Sequence, residues 1–383
     1  MNERAIASPQ SRPDPAARPT SATERVHALD AIRGAAILGV LLAYTVWSLG
    51  NPPEAEWSRL DRLVERLMGL LVDNRFLTLF AFLFGVGVAQ QWRRWEAAGA
   101  DVRRLHLRRM GFLGGLGLLH AVFLRNGDIL LPYALLGLAL LLFRRGSGPL
   151  LVGCIVVFLL LPTLFEWAVP RLGLAWPARP SAAGRPYVLE NLEWLRHWFV
   201  TNPLRSWPRV IGLMLAGVLA GRARLFERLA IDRPLQRRFL AVAAAVAGVM
   251  TLALVVWQGR SDCAPASLEC LGRDLLAHAT AWAVASAYLA LAFFVLGAGT
   301  PDRLSWLRAV GRMAFTNYVL QAVIAVPICL AFGLFDRISP TRGVLAALLI
   351  GLGQAAFSVW WLRSHSMGPL ERLWRRFTYG APA

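Results

Sequence analysis

Apolar runs of about 20 residues recur along the whole chain, separated by short arginine-bearing segments. A run of that length is what an α-helix needs to cross the hydrocarbon of a bilayer. In lipid every backbone N–H and C=O must be satisfied inside the protein, which leaves helices and closed barrels as the spanning structures. The runs lie near 28–49, 74–91, 110–126, 128–143, 149–169, 208–221, 239–257, 273–298, 309–333 and 342–362. The expected fold is therefore all-α: a polytopic membrane protein of about ten transmembrane helices. An apolar fraction of 56% and a mean hydropathy of +0.49 exclude an ordinary soluble enzyme. The net charge of +18 does not point to nucleic acid, because its arginines lie between apolar runs rather than along one stripe.

Residues 1–24, rich in Arg, Ser, Pro and Ala without an apolar run, read as a disordered cytoplasmic tail. The remainder, 25–380, reads as one transmembrane helical domain. Orientation follows from arginine in short loops, which is retained on the cytoplasmic side. The loops Arg93–Arg109 and Arg222–Arg238 carry six arginines each, so both are placed inside, and an even number of spans puts both termini in the cytoplasm. The segment 170–207 is then outside. Its Tyr187, Trp194, Trp198 and Trp207 among charged residues suit a helix lying flat at the outer interface. Leu63–Val72 has a similar amphipathic pattern. Cys263 and Cys270, seven residues apart in an outer loop, have the spacing and compartment for a small-loop disulfide. None of the four cysteines has metal-ligand spacing, and no metal is expected.

Asp30 and Arg33, one turn apart in the first run, are the most informative polar residues. A charge inside hydrocarbon is costly and marks a functional site by default, although Arg33 near a helix end can also snorkel to the headgroups. Near the inner face lie also Arg108, Arg109 and Gln90; toward the outer half lie Tyr44, Arg75, His120 and Asp128. Asn317 and Gln321 share one side of the ninth span. His120 stands about 15 Å into the third span, where a titrating imidazole and a structural histidine bonded to a neighbouring helix are equally open readings. Asp128 is placed to cap the fourth helix.

Several ordered blocks resemble the YeiB-like bacterial inner-membrane proteins, also called domain of unknown function 418. They are Leu29-Asp30-Ala31-Ile32-Arg33-Gly34; Arg75-Phe76 with Leu83-Phe84-Gly85-Val86-Gly87; Leu119-His120 with Gly127-Asp128-Ile129-Leu130 and Tyr133-Ala134; Gly311-Arg312-Met313-Ala314-Phe315-Thr316-Asn317-Tyr318 with Gln321; and Gly368-Pro369-Leu370-Glu371-Arg372-Leu373-Trp374. They divide the domain into an amino-terminal motif part, about 25–145, and a carboxyl-terminal one, about 208–380. The resemblance implies a multi-pass protein of the bacterial inner membrane, with the bilayer as its partner.

Through its first span it is also similar, more distantly, to membrane acyltransferases that modify extracytoplasmic sugars. There an arginine is followed eleven residues on, on nearly the same helix face, by a catalytic histidine. Here Arg33 is followed by Tyr44, a poor general base near neutral pH. Two functions follow. One is a carrier or flippase for a small polar or lipid-linked molecule, preferred because that base is missing, with Asp30, Arg33, Tyr44, Arg75, Arg108, Arg109, Asn317 and Gln321 as substrate-binding residues. The other is an acyltransferase-like enzyme in which His120, oriented by Asp128, replaces the base and moves an acyl group from cytoplasmic acyl-CoA to an outer acceptor. Acyl-CoA is then a co-substrate, and no resident cofactor is expected.

The topology makes a direct prediction. Reporter fusions after Arg94 and Arg224 should read as cytoplasmic, and a fusion at Ala182 as extracytoplasmic. An extracytoplasmic reading for Arg224 overturns the arrangement.

Overall fold

The computed structural model describes residues 27–124, 128–178, 186–258, 263, 267–296 and 304–380. The expected tail at 1–24 lies outside the described residues. Among those described, the regular elements are all helical. In chain order they are α1 (His27–Ala43), continued by a π-helical turn (Tyr44–Ser48), α2 (Arg59–Leu71), α3 (Arg75–Ala97), α4 (Val102–Phe123), α5 (Leu130–Ala139), α6 (Gly148–Arg171) and α7 (Tyr187–Arg205). The second half holds α8 (Trp207–Arg222), α9 (Leu225–Ile231), α10 (Arg233–Gln258), α11 (Leu268–Leu296), α12 (Ser305–Arg312), α13 (Ala314–Phe332), α14 (Pro340–Ser364) and α15 (Pro369–Tyr379).

Each of the ten expected spans coincides with a helix, but seven helical segments among the described residues are long and apolar enough to cross a membrane. This is the pattern of a multi-pass membrane protein. The other three fall short for physical reasons. α4 begins with four arginines in its first eight residues, α8 has 16 residues, and α5 with its 3-10 extension makes only a short apolar stretch, Leu130–Phe143. The ninth span is broken: the backbone departs from helix at Met313, so 309–312 belong to the short amphipathic α12.

Small residues decide which helices meet, as they do where lipid offers no hydrophobic drive for association. α3 and α8 approach until a β-carbon at Gly85 would strike the Met214 carbonyl, and one at Gly217 the Phe82 carbonyl. α1 and α12 do the same, Gly34 against the Leu307 carbonyl and Gly311 against that of Asp30. The glycines of the first and fourth motif blocks are thus two sides of one backbone contact, and Asp30 and Arg33 are set by it.

Both segments expected to lie at the interface are helical. α2 starts at a reciprocal cap between Ser58 and Asp61, whose other carboxylate oxygen accepts the Thr341 N–H at the start of α14. It leaves Leu60, Leu63, Leu67 and Leu71 exposed as a stripe, the face an interfacial helix presents to acyl chains. α7 also serves the end of α4. The Tyr187 hydroxyl and the Asn191 amide donate to the carbonyls of Leu124 and Val122, serving groups at the end of α4 that have no partner within the helix. Cys263 and Cys270 are joined by a disulfide with Cα atoms 5.5 Å apart.

The α1–α12 contact predicts that Gly311→Leu lowers stability by about 1–3 kcal/mol, the scale of overpacking a close core. The comparison is Gly111→Leu, where open space surrounds the position. Thermal unfolding in detergent should show a lower midpoint for the first alone; equal midpoints would contradict the contact.

Candidate functional site

A cavity of about 370 Å³ opens at the end of the bundle where α3, α9, α12 and α15 meet. That volume is within the range of small-molecule sites. Its charge distinguishes it: Arg33, Arg93, Arg94, Arg109, Arg312 and Arg375 line it against three carboxylates, Asp30, Glu227 and Glu371. Each carboxylate has a task of its own. Asp30 accepts from Arg33 Nη1 at 3.3 Å, so the expected pair exists, and the guanidinium lies over Gly87, where a larger residue would abut it. Glu227 pairs with Arg93 at 2.6 Å, tying α9 to α3.

Glu371 is turned inward to cap α13. One of its oxygens accepts the N–H groups of Phe315 and Thr316 at 2.8 and 3.1 Å, and the other accepts the Thr316 hydroxyl. Burial pushes this carboxyl above its usual range, while the Thr316 and Phe315 donors oppose the shift. A carboxylate at a helix N-terminus is placed to complement both the open N–H groups and the dipole.

Arg109 is held by an aromatic neighbour. Trp374 of α15 holds it twice, its ring 3.5 Å from the guanidinium carbon and its indole N–H donating to the Arg109 carbonyl at 2.9 Å. A cation over an indole face is attracted by the ring's charge distribution and keeps its N–H groups free for a ligand. Excess positive charge in a partly desolvated pocket, presented by planar forked donors, suits phosphate groups.

Tyr318 forms the inner wall. Its hydroxyl accepts from the Ile129 N–H at 3.1 Å and donates to Asp128 Oδ1 at 3.0 Å. The other oxygen of Asp128 accepts the Leu131 N–H at 2.8 Å, the helix cap expected at the start of this span. On the far side of Tyr318, the His120 ring stacks on it with centroids 5.4 Å apart. His120 Nδ1 lies 3.4 Å from Asp128 Oδ1, within ion-pair range but off the line of a directed hydrogen bond. Neither ring nitrogen makes a hydrogen bond to a described group, although the residue is 3% exposed. Gly117, a turn below His120, lets Asp128 and the start of α5 approach this closely.

Of the residues expected from sequence, Asp30, Arg33 and Arg109 line the cavity, as does Gln90. His120 and Asp128 form a pair behind its wall. The others stand elsewhere. Arg108 is not among the lining residues. Arg75 is buried at the start of α3, donating to the Asp73 carbonyl. Asn317 is fully buried and donates to Val310 O and Ser358 Oγ, bracing the break before α13 against α14. Gln321 is buried beyond Tyr318, and Tyr44 packs at the π turn with Leu49, Ala325 and Cys329. Eleven residues return Tyr44 to the face of Arg33, but about 16 Å further along the helix, past the end of the cavity. Tyr318 and Trp374 were not expected. Each sits in a motif block, but an aromatic in an amphipathic or apolar helix reads as core.

The family profile described as "Protein of unknown function (DUF418)" matches residues 220–381. The chain is 30% identical over 403 residues to "Uncharacterized protein YeiB" of Escherichia coli (strain K12), covering 94% of this chain and 97% of that one. It is 29% identical over 399 residues to "Uncharacterized protein YxaH" of Bacillus subtilis (strain 168), with 94% and 96% covered. A protein from Bacillus acidopullulyticus, "Uncharacterized 39.9 kDa protein in amylase 3'region", is 28% identical over 373 residues. No solved structure matches. With one relative at 30% identity along nearly the full length of both chains, and the profile covering α12, α13 and α15, this chain belongs to the DUF418 family of YeiB-like proteins.

Proposed function

We propose that this chain is an acyltransferase-like enzyme of the bacterial inner membrane, taking an acyl group from a phosphate-bearing donor such as acyl-CoA. The observation that carries the reading is the pairing of two sites on one wall. An arginine-rich cavity lies on one side of Tyr318, and a buried His–carboxylate pair lies on the other. A carrier has use for the first but gives the second no task.

Two features support a cytoplasmic mouth for the cavity. It adjoins the arginine-dense loops, which belong inside. The disulfide at Cys270 sits at one end of α11, whereas Phe293 packs with Leu29 and Ile32 beside the cavity, about 35 Å along the helix. A disulfide belongs to the oxidising side. Ten spans with both termini cytoplasmic fit this orientation.

In the proposed reaction, the guanidinium groups of Arg33 and Arg109 hold the donor's phosphates. Tyr318 must swing aside to join the two sites; His120 then takes the proton of an acceptor hydroxyl, whose oxygen attacks the thioester carbonyl. The C–S bond breaks, and the departing thiolate takes up a proton as the free thiol. Asp128 serves as the positioning carboxylate, stabilising the imidazolium that forms.

A carrier or flippase for a polar or lipid-linked molecule is the second reading. It is favoured by Tyr318 closing a cavity that opens at one end. The test is consumption of acetyl-CoA by the purified protein in nanodiscs, with a sugar supplied as the hydroxyl acceptor. His120→Gln keeps a hydrogen-bonding side chain without the titrating ring and should lower kcat by about 10²-fold or more with KM little changed. Equal kcat in the variant removes His120 from the chemistry, and no consumption by the unmodified protein returns the cavity to the carrier reading.

A further inference from the structure

The carboxyl-terminal helix α15 divides its side chains between two surroundings. Glu371, Trp374 and Arg375 face the cavity. Arg372, Leu373, Arg376 and Phe377 form a continuous stripe on the opposite face, all exposed, with Leu373 at 50% and Phe377 at 49%, one side of the Phe377 ring resting on Phe112 of α4. Connectivity fixes the depth of this stripe. α14 is long and apolar enough to cross the membrane, and α15 begins five residues after α14 ends, so it lies where that span leaves the bilayer. A helix there, with two large apolar residues between two arginines, matches the pattern of interfacial helices that bind anionic membranes. The aliphatic stems of Arg372 and Arg376 can lie along the acyl boundary while their guanidinium groups reach the phosphate layer. Two apolar side chains are too few to hold a protein partner, whose stable interfaces engage some twenty residues a side.

We infer that the Arg372–Phe377 face of α15 is a binding site for the headgroups of anionic phospholipids, and that lipid seated there holds the cavity in its formed state. The coupling is mechanical and short. Trp374, between the two exposed pairs, clamps Arg109, and Glu371 caps α13, which carries Tyr318. Loss of the seat loosens the element that fixes a basic wall and a helix start of the cavity. The inference does not depend on which reaction or cargo the cavity serves.

Hydrogen–deuterium exchange of the full-length protein tests it, in nanodiscs of phosphatidylcholine alone or with phosphatidylglycerol. Backbone exchange across 369–379 should be roughly tenfold slower with phosphatidylglycerol, the scale that two arginines near an anionic surface supply. The double variant R372Q/R376Q, altered only at exposed positions, should exchange alike in both lipids. Equal exchange of the unmodified protein in the two lipids overturns the proposal, as does a lipid difference that survives in the variant. Soluble glycerol 3-phosphate added to phosphatidylcholine nanodiscs should leave exchange unchanged; slowing by it would mean a site for free phosphate and would also overturn the lipid seat.

Discussion

The carboxylate of Asp128 is the group on which the arrangement of this molecule turns. It stands at the start of α5, where the hairpin from α4 would otherwise leave N–H groups without partners in a medium that offers none. One oxygen closes that helix end and the other receives Tyr318 from α13. A single short side chain therefore locks the amino-terminal hairpin to the carboxyl-terminal half, and it sets the wall that separates the arginine cavity from His120. An acid used this way is expensive to bury alone, and the Tyr318 hydroxyl and backbone donors offset that cost.

Residues far apart in sequence meet around this lock. Asp30 and Arg33 come from the first span, Arg109 from the fourth helix, and Glu371 and Trp374 from the last. Two backbone-level contacts bring them together: the glycine crossing of α1 on α12, and the cap that Glu371 places on α13. The motif blocks are thus parts of one structure. Their glycines make close approach possible, four of their charges (Asp30, Arg33, Arg312 and Glu371) line the cavity, and Trp374 fixes Arg109 beside them.

Much of this was legible in the sequence because the bilayer imposes a simple rule on it. Length and hydropathy located the ten runs that coincide with helices, though not the short helices α9, α12 and α15 at the cavity, and the isolated charges Asp30, Arg33 and Asp128 stood out against apolar neighbours. What the pattern could not convey was azimuth and breaks. Depth alone grouped Arg75 and Tyr44 with His120, yet Arg75 turns back to its own loop and Tyr44 sits at a π turn beyond the cavity. The ninth span read as continuous because Met313 is apolar, although the backbone breaks there and Asn317 braces the break. Tyr318 and Trp374 were hidden for a related reason: their polar tips decide their roles, and nothing in a run of apolar letters shows where a tip points.

The central claim is that the arginine cavity holds a phosphate-bearing group. Equilibrium binding of coenzyme A to the purified protein, measured by calorimetry for the unmodified chain and for Arg109→Gln, tests it most directly. Loss of one charge-assisted contact should weaken binding by about tenfold or more, and added salt should weaken the unmodified protein's binding. Binding of equal strength in the variant, or no binding of coenzyme A by the unmodified protein, would contradict the account.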